Sequence, residues 1–222
     1  GDGFAAALRV RLIHARVRHG LRRSSAWRHD DWGVPINQYD MAGTLLLFSS
    51  IVVDGLQQLG VTMTRDEEDD VMHLWRVVGW VMGVDAELTC TSLGEARELW
   101  RLLDATQADP DDDSRRLANA LIGSQAQGSI GAWQGFLFAM SRHLIGERYA
   151  NALGFPKGRA WKLAPLMVRQ VVKNIEATAK RVPGARATAL RAGMTYWRRA
   201  VEGSRGDVSF PLPTDVKAER RD

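Results

Sequence analysis

The sequence predicts an all-α protein: a single globular, multi-helix domain of about seven helices with globin-like packing around a pocket. Three observations predict it. Apolar residues recur at helical spacing, as in Val10, His14, Val17, Arg18 and Leu21, which fall near one helix face. Helix-start signatures precede apolar runs at Thr64/Glu67 and Ser92/Glu95. No segment shows the strict alternation of a half-buried strand.

The elements follow in order. Residues 4–23 form the first helix, and 24–39, with Ser-Ser, His-Asp-Asp, Trp-Gly and a proline, form an ordered loop. Asp40 is a good N-cap for a helix over 40–59 that Gly60 stops. That helix is apolar nearly all round and should be central, with Gly43 permitting the close approach of something flat or of another helix. The Thr64/Glu67 box starts a helix to 82, and Ser92/Glu95 one to 107. After an acidic loop holding Pro110, helices are expected over 114–125, 130–153, 159–181 and 185–203. Residues 1–203 make the domain, and 204–222, with two prolines and mixed charge, a C-terminal tail that is a strap or partly disordered.

Composition narrows the function classes. Hydrophobic content of 45%, charged content of 25% and a mean hydropathy of −0.23 are those of a soluble globular chain. The apolar stretch Met41–Val53 is shorter than the roughly 20 residues a membrane span needs, and no secretory signal is visible; a cytoplasmic location is expected, with secretion the alternative if a leader lies upstream of Gly1. A single cysteine, Cys90, excludes an internal disulfide, an iron–sulfur cluster and covalent haem through paired cysteines. Six arginines and two histidines lie between residues 9 and 23, but on several helix faces and without a nucleic-acid-reading motif. Nucleic acid is therefore not expected as a partner. The acidic run Asp66–Asp70 suits a helix start, where the dipole favours negative charge. Asp70-x-x-His73 has the spacing of half a di-iron motif, without a second copy.

His14 is the residue whose setting points to chemistry. It lies among apolar neighbours on its helix face, with Arg18 one turn on and His19 beside it. A neutral imidazole flanked by cations suits a metal that carries anionic groups, and a haem with two propionates fits that description. The alternative is a hydrogen-bonded core histidine with solvated arginines whose stems cover apolar surface.

Three motifs add a resemblance: Val10-Arg-Leu-Ile-His-Ala-Arg-Val-Arg18, Gly33-Val-Pro-Ile-Asn-Gln-Tyr-Asp-Met-Ala-Gly-Thr44 and Leu74-Trp-Arg-Val-Val-Gly-Trp-Val-Met-Gly-Val84. In this order they resemble the latex clearing protein (rubber oxygenase) and MpaB-like oxygenase family. The likeness runs more loosely through Arg142-His-Leu-Ile-Gly146 and Ala150–Pro156. It implies an all-helical fold that holds haem b non-covalently and uses dioxygen on apolar, isoprenoid-like chains or lipids. It implies His14 as the proximal iron ligand and Arg18 as a propionate partner, with His19 following it. Thr44 would sit near the haem, Arg142 would be a second propionate partner, and Trp75 a packing residue behind the site. A proximal imidazole, which pushes less electron density than a thiolate, would favour attack on an activated double bond.

In the family, the residues of the opposite haem face and a carboxylate base precede the histidine helix. The resemblance thus reads the chain as the C-terminal part of a catalytic domain, with those residues upstream of Gly1. The other reading is a helical binding or interaction module of the same family without a redox cofactor. The sequence names neither the substrate nor the oligomeric state.

Overall fold

Among the residues that the computed structural model describes (2–125, 131–158 and 160–203), every regular element is helical. The elements are α1 (Asp2–Arg22), α2 (His29–Trp32), α3 (Gln38–Phe48), α4 (Ser50–Gln58), α5 (Arg65–Met82), a 3-10 turn (Ala86–Leu88), α6 (Leu93–Thr106), α7 (Asp112–Gln125), α8 (Gly131–Ala152), α9 (Ala164–Arg181) and α10 (Ala185–Gly203). The chain divides into two compact units, Gly1–Asn174 and Ile175–Asp222. The expected helix start at Ile130, the expected start at Arg159 and the tail 204–222 lie outside the described residues.

In the first unit α3 is the hub, packing on α4, α5 and α6, while α1 lies along α5 and α7 along α8. Leu46, Val53, Met72, Leu93 and Ala96 seal the core between these helices. Burying each of the larger side chains contributes roughly 1.5–3 kcal/mol. A second cluster of Met41, Ala42, Leu45 and Val84 sits beside it, with Ile36, Trp75 and Met82 packed against it. The second unit holds the end of α9 and α10, which Gly184 separates in a left-handed conformation (φ 79°).

The helix expected over 40–59 is two helices. Ser49 leaves the helical region (φ −108°, ψ −91°), and its hydroxyl and backbone N–H both donate to the Leu45 carbonyl. Buried serines bond back to the preceding turn in this way, and here the helix breaks there. The start also differs: Asn37, not Asp40, is the N-cap, its side chain accepting from the Asp40 N–H. Taken together, Gln38–Gln58 is long and apolar enough to cross a membrane by length and composition, whereas the shorter run Met41–Val53 is not. Leu46 and Val53 of this pair enter the core, whereas Leu47, Phe48 and Val52 remain about half exposed.

Thr64 and Glu67 form the expected capping box. At α6, Ser92 accepts from the Glu95 N–H as expected, but the Glu95 carboxylate reaches Thr91, one residue before the cap. The expected 130–153 helix is kinked at Gly146 (φ 80°, ψ 164°). The helix expected from 159 begins at Ala164.

Candidate functional site

A cavity of about 710 Å³ opens between α1, the loop after it, α3 and α5. Its floor is small: Gly3, Ala6, Ala7 and Val10 recur at helical spacing on α1, and His14 follows one turn on. No heavy atom lies within 4 Å of where a Cβ on Gly3 would stand. Met41, Thr44, Leu45 and Phe48 of α3 and Trp75, Val78 and Met82 of α5 form apolar walls. Phe48 and Trp75 stack with centroids 5.4 Å apart. Asp40, His14 and Thr44 are polar groups on this largely apolar lining.

His14 is half-buried, and its Nδ1 is sealed from solvent with no hydrogen-bond partner. A buried polar nitrogen without a partner costs free energy, about 1–3 kcal/mol. A core histidine that was merely structural would be expected to satisfy it. His14 thus lines the cavity with a ring nitrogen that no protein group satisfies.

Arg18 sits one turn beyond His14 but does not line the cavity. Its Nε donates to the Pro35 carbonyl at 3.2 Å, and its Nη2 donates to the Ile36 carbonyl at 2.5 Å and approaches Met41 Sδ at 3.6 Å. It therefore pins the loop that closes one side of the cavity. His19 is exposed and lies 3.3 Å from an Arg23 nitrogen, also off the lining. Thr44 is on the lining, with its hydroxyl donating to the Asp40 carbonyl at 2.8 Å. Trp75 stands on the wall itself rather than behind it.

Arg142 belongs to a different neighbourhood. It is buried and donates to the Phe155 carbonyl, Glu147 and Asn151. The structure thus brings His14, Thr44 and Trp75 onto one cavity and puts Arg18 at its border, with His19 and Arg142 elsewhere. Arg11 was not singled out by the sequence. Its Nη1 donates to the Val81 carbonyl at 2.8 Å and fixes α1 against the end of α5. The small-residue run Gly3-x-x-Ala6-Ala7 was a signal that helical spacing alone could have offered. Among the described residues, no three His, Cys, Asp or Glu side chains come together as a metal site.

An all-helical scaffold that turns a histidine toward an apolar cavity of this size defines a class. Such cavities, of about 300–1,000 Å³ with a few placed polar groups, take large cofactors or apolar ligands. The chain belongs to the family described as ER-bound oxygenase mpaB/B'/Rubber oxygenase, catalytic domain, whose model matches residues 1–177. It is similar to the rubber oxygenase of Streptomyces sp. (strain K30), with 27% identity over 160 residues, 71% of this chain and 39% of that protein. Its fold is similar to that of latex clearing protein LCP in the closed state, with a TM-score of 0.65 and 26% identity over 74% of this chain and 46% of that one. The chain spans less than half the length of these relatives.

Proposed function

We propose that this chain is the histidine-bearing part of a haem b-dependent oxygenase that acts with dioxygen on an apolar, unsaturated isoprenoid-like or lipid substrate. The observation that carries this reading is His14. Its Nδ1 is buried without a partner, and its ring borders an apolar cavity floored by Gly3, Ala6 and Ala7. Membership of an oxygenase family supports the reaction class.

The residues present fit the group. A floor of small side chains leaves room for a flat macrocycle, and His14 is the nitrogen donor on the lining. When bound, haem supplies the dioxygen chemistry. The protein supplies the rest. His14 would hold the group through a ring nitrogen. Met41, Leu45, Phe48 and Trp75 exclude water and give an apolar chain a surface to lie on. Arg18 holds the 35–36 loop, and its positive charge at the cavity border favours an anionic substituent nearby.

The test is the ultraviolet–visible spectrum of the chain purified with haem available, beside its His14→Ala variant. About one b-type haem per chain, with a Soret band lost or shifted in the variant, is the expected result. Folded protein without haem, both in this chain and in one extended to the length of its relatives, would overturn the reading.

A further inference from the structure

We propose that a second hollow, next to Arg142 and away from the His14 cavity, is an anion site that takes a phosphate group. It has a volume of about 570 Å³ and lies between the latter part of α8, the segment leading to α9 and the first turn of α9. Its charged lining is Arg142, His143, Glu147, Lys157 and Lys162, with Trp161 beside them. Three permanent cations therefore face one carboxylate.

That carboxylate does not neutralise the hollow. Glu147 is 71% exposed and pairs with Arg142, whose own side chain is 8% exposed. Arg142 is also held by the Phe155 carbonyl and the Asn151 side chain, each at 2.8 Å, so its charge is fixed in place. Lys157, Lys162 and His143 have no hydrogen-bond or ion-pair partner among the described residues. Lys157 and Lys162 are both exposed, and beside the Arg142–Glu147 pair they leave two positive charges at the hollow for an anion to meet.

A phosphate group carries a charge near −2 and three strong acceptor oxygens, which matches this surplus. An uncharged or purely apolar molecule leaves it unmet. Leu163, Leu166 and Met167, each more than half exposed, follow directly on Lys162. An apolar chain attached to the phosphate thus has a surface beside the hollow. The shared chemistry is phosphate, and its source is either a lipid headgroup or a free phosphate.

Calorimetric titration of the chain at low ionic strength with inorganic phosphate and with octyl phosphate tests this, alongside flotation with phosphatidylcholine vesicles that do or do not contain phosphatidic acid. Octyl glucoside serves as the uncharged control. The comparison protein is the double variant Lys157→Gln, Lys162→Gln, in which Arg142 and its partners are intact and folding is checked by circular dichroism. Saturable binding at about one site per chain, weakened about tenfold in the variant, is expected. Equal affinity for the two phosphates identifies free phosphate as the source. Tighter binding of octyl phosphate, with capture by phosphatidic acid vesicles, identifies a lipid headgroup. No saturable binding of any phosphate probe, or binding unchanged in the folded double variant, overturns the proposal.

Discussion

The Ile36 carbonyl accepts the Arg18 guanidinium at 2.5 Å, and Ile36 itself stands in the left-handed region at φ 52°. A β-branched residue rarely adopts that conformation, and holding it costs of order 1–3 kcal/mol. Arg18 offsets that cost by bonding two successive carbonyls, those of Pro35 and Ile36. Pro35 is fully buried beneath them, and Ile36 faces the His14 cavity.

Arg18→Gln should therefore destabilise the protein by about 1.5–3 kcal/mol, the range for hydrogen bonds to a charged group. It should also loosen the cavity wall at Ile36. Urea unfolding gives the first quantity, and hydrogen exchange of the 33–37 amides reads the second. Unchanged exchange there would contradict the pinning role.

Gly60→Ala and Gly43→Ala should differ in size and in sign. Gly60 has φ 99°, and a Cβ there would come within 2.7 Å of the Arg169 backbone oxygen, which cannot swing away. The substitution should cost about 2 kcal/mol or more. At Gly43 a Cβ meets Leu103 Cδ1 at an ordinary 3.8 Å inside α3. That change should be neutral or stabilise by up to about 1 kcal/mol through helix propensity. Thermal unfolding of both variants measures the contrast.

Glu95 should make the start of α6 acid-sensitive. The Thr91 N–H and hydroxyl, followed by the Ser92 N–H, hold its carboxyl below the ordinary glutamate range. A depressed folded value contributes stability above the unfolded value, and that contribution is lost as pH falls through the folded one. The difference in melting temperature between the wild type and Glu95→Gln should thus be largest near neutral pH and shrink below about pH 4.5. A difference independent of pH would contradict this.

Cys90 should react slowly with alkylating reagents. Burial is the main cause raising its thiol above the ordinary range, with the nearby Glu95 charge adding to it. The thiolate is the reactive form, so iodoacetamide labelling at about pH 8 should run below the rate of a free thiol and climb only at higher pH. Glu95→Gln should shift that profile down slightly, because the larger cause remains.

Much of the fold was legible because helix starts are written locally. Thr64/Glu67 and Ser92/Glu95 place an oxygen three residues before the N–H it must satisfy, and spacing reveals that. The break at Ser49 was hidden inside an apolar run, where period cannot tell one helix from two. Its trace was the Ser49-Ser50 pair, whose hydroxyls bond back to the Leu45 and Leu46 carbonyls. His14 was legible as a candidate from its face and flanking cations, and Thr44 through its motif. The partners of Arg18 and Arg142 were not, because a long side chain reaches whichever carbonyls the loops deliver. Ile36 carried no sequence sign of its positive φ, which tertiary contacts impose.

The bond from Arg11 to the Val81 carbonyl joins residues 70 positions apart, whereas the contacts of Arg142 close over at most 13. Closing a longer loop costs more chain entropy and slows the step that depends on it. The Arg142 turn can assemble early, and α1 is expected to dock after α3–α6 have formed. His14 travels on α1, so the floor and the histidine reach the cavity together, as the last wall of a chamber already built. The packing of one helix thus decides whether the histidine meets the cavity at all.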